Sequence, residues 1–393
     1  MTKKIPTVLQ IISRRQGNEA QKDTIECAMA VKDAGGRAIV VSSGGDKTRT
    51  DVMSGFIFDL QRHGIEHIKL PCEPSGFFGA FRLSLRLAKI IEKEKVDIIH
   101  ARSRISAKSA KKAAIRKGIP FVTSFYGPYS LGMFGLKKFK NAVMTSGDMV
   151  FTPSEFIKNH IATVYDTPAE KIKVLPTGID EGKFDMSKIS VNRLIFQAQQ
   201  WRIPDDEPVI VYPAPFIKNK GHLLMLKALS LMENRRLRCI FTGEDKTGKF
   251  IPFLLKKARA LHVDSCVQFI NEPVCSDTAY AIADVVVYTP ERTEAFTHAI
   301  LEAQAVNRPV IVSDNGGIGD CISNGVSGFI CEANNAEALA QTIEKALSLP
   351  QEKREKVIHK AQHFLQKKYA CKTLRQATLR AYVSLMKKKR EIT

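Results

Sequence analysis

The chain has 393 residues, 44% hydrophobic and 25% charged, an ordinary globular composition long enough for two or three domains. Sixty Lys and Arg against 40 Asp and Glu give a formal charge of +20, which points to an anionic partner (nucleic acid, phosphorylated lipid or membrane surface) and says nothing of fold. The eight cysteines form no C-x-x-C pair, no run of about 20 apolar residues exists to span a bilayer, and the opening MTKKIPTVLQIISRRQ has too short an apolar core for a signal peptide. Structural zinc, thioredoxin-like chemistry and a membrane span are thereby excluded, and free thiols fit the cytosol.

Residues 7–13 read as a buried strand, 14–18 as a turn carrying Gly17, and 19–34 as a helix ended by Gly35 and Gly36. With a second strand at 37–43 this is a strand–helix–strand unit, and a glycine turn between its first strand and helix suits an anion. A short helix at 56–63 and a strand at 65–70 follow, then a basic amphipathic helix at 78–95. The strand at 97–100 runs into HARSR, and a second basic helix at 106–117 precedes a strand at 120–124. Between Arg82 and Lys117 stand 12 basic and 3 acidic residues, a cluster suited to an anionic membrane or acceptor. After a strand at 173–175 and a loop at 176–180, periodicity is weak to about residue 206, which reads as an interdomain linker.

The second half alternates again. A strand at 209–212 leads into PAPFIKNKG, where Lys220 and Gly221 precede a helix and suit a phosphate. The strand at 238–242 ends in Gly243 and Glu244, and a helix at 250–261, a strand at 267–270 and a helix at 277–283 follow. The apolar run 285–288 is a strand, Pro290 marks a turn, 296–306 is a helix stopped by Pro309, and 310–312 is the next strand. Its loop lies at the carboxyl end of a strand, where open α/β sheets bind ligands. Glu294 stands just before that helix and Glu302 eight positions on, about 12 Å along a continuous helix, so a ligand touching both is long. A helix mouth suits phosphate and carboxylates suit sugar and ribose hydroxyls, three parts that one nucleotide-sugar contains. Three helices, at 336–347, 351–368 and 372–389, close the chain.

Residues 294–303, EAFTHAILEA, resemble the donor motif E-G-F-G-x-x-x-L-E-A of the retaining glycosyltransferases of family GT4. Glu294, Ala295, Phe296, Leu301, Glu302 and Ala303 stand in register, and Thr297 and His298 depart from it. Lys220 and Gly221 match the end of the family's G-R-x-x-x-x-K-G, whose arginine position is Pro215 here. Within GT4 the chain resembles proteins of lipopolysaccharide-core assembly in alphaproteobacteria, through His100 to Arg104, Gly127, Tyr129, residues 141–144, Gly147, Asp148, Ser154, Phe156, Ile157, His160 and Ile161. Tyr126 replaces a family histidine that lies close to the reacting centre, and a phenol is a poor proton carrier near neutral pH. Gln16 and Thr177 are further departures.

The resemblance implies an α/β protein of GT-B architecture, two doubly wound Rossmann-like domains facing a central cleft. Residues 1–190 would form the acceptor-side domain, 191–371 the nucleotide-sugar domain, and 372–393 a helix packing back on the first. It implies retaining transfer of a hexose from a GDP- or UDP-linked donor to an anionic lipid-linked glycan, in lipopolysaccharide core or related cell-envelope synthesis. Glu294, Lys220 and Tyr126 would be catalytic. Gly17, Lys220, Gly243, Glu294, Phe296, Leu301 and Glu302 would bind the donor, with Asp148 and His100 as lesser candidates. No metal, cofactor or specific nucleic acid is expected, and the place of action is the cytosolic face of the cell membrane. The alternative, carried by the departures at Gln16, Tyr126, Thr177 and Pro215, is a catalytically weakened homologue that binds donor or regulates a partner.

Overall fold

The structure, a computed structural model, describes residues 5–13, 18–43, 50–70, 76–130, 132, 136–176, 178–180, 182–272 and 277–390. Two compact units share the chain: residues 1–178 with 371–393, and residues 179–370.

In the first unit, strands β1 (Thr7–Ser13), β2 (Arg37–Ser43), β3 (Glu66–Leu70), β4 (Ile98–Ala101), β5 (Phe121–Ser124), β6 (Met149–Thr152) and β7 (Ile172–Val174) alternate with helices α1 (Asn18–Lys32), α2 (Thr50–Arg62), α3 (Gly76–Lys93), α4 (Arg104–Lys117), α5 (Leu136–Asn141) and α6 (Glu155–Tyr165). The strands form one parallel sheet in the order β3-β2-β1-β4-β5-β6-β7. The four residues of β4, β5 and β6 are all buried, as expected of strands covered by helices on both faces. Small side chains let α4 lie close: Ser106, Ala107, Ser109, Ala110, Ala113 and Ala114 are its buried residues, and Ser109 Oγ donates to the Ala80 carbonyl of α3 at 2.9 Å.

The second unit contains α7 (Val191–Gln200), β8 (Val209–Pro213), α8 (His222–Leu231), β9 (Arg238–Gly243), α9 (Phe250–Ala260), β10 (Val267–Asn271), α10 (Asp277–Ala281), β11 (Val285–Tyr288), α11 (His298–Ala305), β12 (Val310–Ser313), β13 (Phe329–Cys331), α12 (Ala336–Leu347) and α13 (Gln351–Lys368). Its sheet, β10-β9-β8-β11-β12-β13, is also parallel. The last helix, α14 (Cys371–Arg390), belongs to the first unit, where Ala381, Tyr382, Leu385 and Met386 enter the core and Arg375 bonds Glu26 at 2.8 Å and Asp33 at 3.0 Å.

Several elements differ from the reading of the sequence. The stretch expected as a linker holds α7, capped by Ser190 Oγ, and Phe184, Ile189 and Trp201 pack into the second unit's core. The boundary therefore falls between Gly178 and Ile179 and not at residue 190. Val191, Ile195 and Phe196 of α7 are exposed, and Leu194 packs against the core. β6 and α6 were legible only as motif letters, because a four-residue strand leaves little periodicity. α11 begins at His298, so Phe296 precedes the helix and Thr297 stands at its N-cap position without a side-chain capping bond.

One core residue carries a pH consequence. His222 is 1% exposed, stacked on Phe216 with ring centroids 5.2 Å apart and surrounded by Tyr212, Phe241 and Phe250. Burial pushes its imidazole down to about 4, from an ordinary 6.5. The unfolded chain takes up this proton first as pH falls, so stability present above pH 6.5 is lost on the way to pH 4, about 3 kcal/mol for this group. Trp201, the chain's one tryptophan, lies in the same core and reports its unfolding. Urea titrations followed by its fluorescence should show the loss between pH 6.5 and 4 in the wild type and a much flatter profile in His222→Phe.

Candidate active site

In the second unit the strand order reverses between β8 and β11, which pair in parallel. Ligands of doubly wound sheets bind beyond the carboxyl ends of two such strands, where their outgoing loops separate. The loop after β8 carries Lys220 and the loop after β11 carries Glu294. Lys220 Nζ donates to Glu294 Oε1 at 2.5 Å and to the Tyr288 hydroxyl at 3.2 Å, and that hydroxyl donates to Glu294 Oε2 at 2.7 Å. The Lys220 and Glu294 side chains remain 22% and 19% exposed. An ammonium, a carboxylate and a phenol thus converge where solvent still reaches them.

The backbone fixes this convergence. Tyr212, fully buried, donates its hydroxyl to the Lys220 carbonyl at 2.7 Å and accepts from Thr289 N at 3.3 Å. Glu291 N donates to the Asn219 carbonyl at 3.1 Å. Gly221 has φ +82°, and a Cβ there would lie 2.0 Å from the Thr289 carbonyl oxygen. Only glycine allows the two loops to touch so closely. On the other side Gly317 N donates to the Glu294 carbonyl at 2.8 Å, and Asn315 Nδ2 donates to the Pro290 carbonyl at 2.9 Å. Gly316, also at φ +82°, abuts that Glu294 carbonyl. The D-N-G-G run after β12 therefore holds the backbone of Glu294.

A second anion seat, at the N-terminus of α9, is filled from within. Asp245 accepts from the backbone N–H groups of Phe250 at 2.8 Å, Ile251 at 2.9 Å, Gly248 at 3.0 Å and Thr247 at 3.1 Å. These bonds, that of Ile251 foremost, hold its carboxyl below the ordinary range. An external phosphate would have to displace it.

The first unit has its own polar centre at the corresponding switch between β1 and β4. Arg102, fully buried just beyond β4, donates to Gln10 at 2.8 Å, Ser124 at 2.8 Å and Tyr126 at 3.1 Å, and pairs closely with Asp23. The Tyr126 hydroxyl donates to Asp23 at 2.7 Å. Burial keeps Tyr126 well above its usual range, so it stays a neutral phenol. His100 joins Tyr382 at 2.7 Å and Ser124 at 2.9 Å, and burial, then Arg102, hold it well below its ordinary value. It is a neutral core histidine that ties α14 to β4. Asp148 accepts from Phe121 N at 2.8 Å and caps the start of β5. Gly17, Gln16 and Thr177 lie outside the described residues. Among the described residues no group of three or more His, Cys, Asp and Glu is placed to hold a metal ion.

Comparison with known proteins decides the family. Residues 195–364 match the model of glycosyl transferases group 1, and residues 23–183 that of glycosyltransferase family 4. The chain is a GT4-like glycosyltransferase of the GT-B fold. A crystal structure of a glycosyltransferase from Rickettsia africae is 28% identical, with a TM-score of 0.88, over 97% of this chain and 99% of that one. The Anabaena protein HepE, solved in complex with UDP, is 19% identical with a TM-score of 0.81, over 96% of this chain and 100% of that one. A lipopolysaccharide 1,2-N-acetylglucosaminetransferase of Salmonella typhimurium is 24% identical over 238 residues, 58% of this chain and 60% of the enzyme. The first curated relatives are matched over only 59% to 61% of their length.

The remaining GT4 positions can now be placed. Glu302 is buried on α11, and Tyr280 Oη donates to it at 3.2 Å. Leu301 is fully buried and Phe296 is 6% exposed, both in the core. Their packing sets α11 against the sheet. Gly243 permits close approach as well: a Cβ there would lie 2.0 Å from the Ala214 carbonyl oxygen, within the loop that leads to Lys220. Pro215, in the family's arginine place, is exposed, with Lys218 exposed three residues on. Tyr288 was missed in the sequence, where it read only as the last residue of a buried strand. The signal available was its position beside T-P-E, at a carboxyl strand end.

Gly221→Ala tests the loop contact. It should cost at least about 2 kcal/mol, roughly 4–8 °C of Tm, through positive φ and the clash with Thr289. Calorimetry showing a loss below a quarter of that would mean the loops are free to separate.

Proposed function

We propose that this chain transfers a hexose, with retention at the anomeric carbon, from a GDP- or UDP-linked sugar to an anionic lipid-linked glycan at the cytosolic face of the membrane. Lipopolysaccharide core or a related cell-envelope glycan is the product class. The observation that carries the reading is the convergence of Lys220, Glu294 and Tyr288 at the β8/β11 switch. Support for the donor class comes from HepE, solved with UDP and with UDP-glucose, and for the product class from the Salmonella transferase.

The chemistry follows from charge. With no donor present the Lys220 ammonium is neutralised by Glu294. A diphosphate brings more negative charge than one carboxylate, so it competes for the ammonium. Glu294 is then released to accept hydrogen bonds from sugar hydroxyls, with Tyr288 free to donate to either group. As the glycosidic bond breaks, Lys220 stabilises the charge growing on the leaving diphosphate. Glu302, deeper on α11, accepts from the ribose. Tyr126 is fixed by Asp23 and Arg102 as a hydrogen-bonding phenol, and it takes the family histidine's place by orienting a reactant and not by carrying a proton.

The second reading, a weakened homologue, is favoured by Pro215, which leaves the phosphate loop without the family's arginine. Transfer assays with radiolabelled donors and membrane extract decide between them: nucleotide binding without transfer to any acceptor supports the weakened homologue.

Glu294→Ala should lower transfer on the order of 100- to 1,000-fold, while diphosphate binding holds or tightens because Lys220 loses its counter-charge. Glu302→Ala should weaken nucleotide binding roughly 10- to 100-fold, the loss of hydrogen bonds to a charged group. Calorimetry and turnover measured together check both, and equal, negligible effects would remove the donor-site assignment.

A further inference from the structure

On α3 the exposed positions follow a helical stripe. Phe78 is 80% exposed, Phe81 41% and Leu85 39%, and Arg82, Arg86 and Lys89 interleave with them at one-, three- and four-residue steps. Beside it α4 turns Lys108, Lys112 and Arg116 outward, with Ile115 71% exposed. The two helices border a groove of about 420 Å³ lined by Arg82, Arg86, Lys89, Arg116 and Lys117. Its one carboxylate, Glu92, is bonded to Lys117 at 2.5 Å. Glu94, next along, is bonded to Arg37 at 2.7 Å. The acids of this face are thus spent on neighbours while its cations crowd together. Arg102, counted with the cluster in sequence, is buried and plays no part in it.

We propose that the α3–α4 face docks the protein onto an anionic lipid bilayer surface. Large apolar side chains held in water beside a surplus of cations are unfavourable on both counts. A bilayer interface resolves both, taking Phe78, Phe81, Leu85 and Ile115 into the boundary between headgroups and acyl chains while the cations stay among lipid phosphates. A nucleic acid would answer only the charge and leave the apolar side chains wet. Among the described residues no helix is long and apolar enough to cross a membrane, so the contact is a surface one. The proposal rests on the reading of a lipid-linked acceptor for its purpose, but vesicles without donor or acceptor test it separately.

The full chain is sedimented with phosphatidylcholine vesicles with and without phosphatidylglycerol, at low and high salt. Wild type should bind only the anionic vesicles, less at high salt. Arg82→Gln/Arg86→Gln/Lys89→Gln should lower partitioning on the order of 100-fold. Phe78→Ser/Phe81→Ser should lower it on the order of 10-fold or more with an unchanged salt slope. The exposed control Lys353→Gln/Lys360→Gln/Lys367→Gln on α13 should bind as wild type. All five outer-face substitutions lie at the protein surface, and unchanged circular dichroism confirms folding. The proposal is overturned if wild type ignores anionic vesicles, if the α13 control loses as much as the α3 triple, or if the phenylalanine pair binds in full. It is equally overturned if the α3 triple abolishes tight, salt-sensitive RNA binding while vesicle binding is absent.

Discussion

Lys220 and Glu294 stand 74 positions apart in the chain and meet at 2.5 Å because β8 and β11 lie side by side where the sheet reverses its order. The loops that leave the two strands are held against each other by backbone contacts. Two glycines do this: Gly221 passes against the Thr289 carbonyl and Gly316 against that of Glu294. Three loops, after β8, β11 and β12, are stacked through main-chain atoms. The charged groups are therefore placed before any ligand arrives, which is the condition under which electrostatic stabilisation costs no reorganisation. Removing either partner would leave the other charge partly buried and unpaired, so the pair also stabilises the empty site.

The first unit places an ion pair at its own switch point, with a different outcome. Arg102 and Asp23 are 0% and 12% exposed, and the guanidinium also bonds Gln10, Ser124 and Tyr126. These groups are bonded to one another, and among them Tyr126 alone is half-buried, the others buried. That network ties α1, β1, β4 and β5 together, and through His100 and Tyr382 it holds α14. Lys220 and Glu294, about one fifth exposed and sharing the Tyr288 hydroxyl as a partner, keep capacity for a ligand. Comparable chemistry at equivalent places in two sheets is thus sealed by burial in one and left open to solvent in the other.

Much of this was legible in the sequence, for specific reasons. Apolar runs such as 285–288 and 310–312 are short, unbroken and bounded by turn residues, so β11 and β12 could be read directly. Glu294 and Lys220 were legible through their register with the GT4 motifs, Glu294 just before one helix and Lys220 with Gly221 before another. Residues whose role depends on distant contacts were not legible. Tyr288 looks like the end of a strand until Lys220 is placed beside it. His100 reads as a lesser site candidate until Tyr382, 282 positions away, is seen to bond it. Leu301 and Phe296 fall within a ligand-site motif, yet the fold turns them into the core. α7 carries a helical apolar pattern (Val191, Leu194, Ile195, Ala198), but its ten residues between irregular stretches read as linker.

On the proposed reading Lys220 receives a diphosphate at the β8/β11 switch. It is tested most directly by titrating wild type and Lys220→Ala with UDP, UMP and uridine, and with the guanosine series, in a calorimeter. Lys220→Ala should bind the diphosphate roughly 10- to 100-fold more weakly, with a smaller loss for the monophosphate and no change for the nucleoside. Equal diphosphate affinity in the two proteins, at low and at physiological salt, would contradict it.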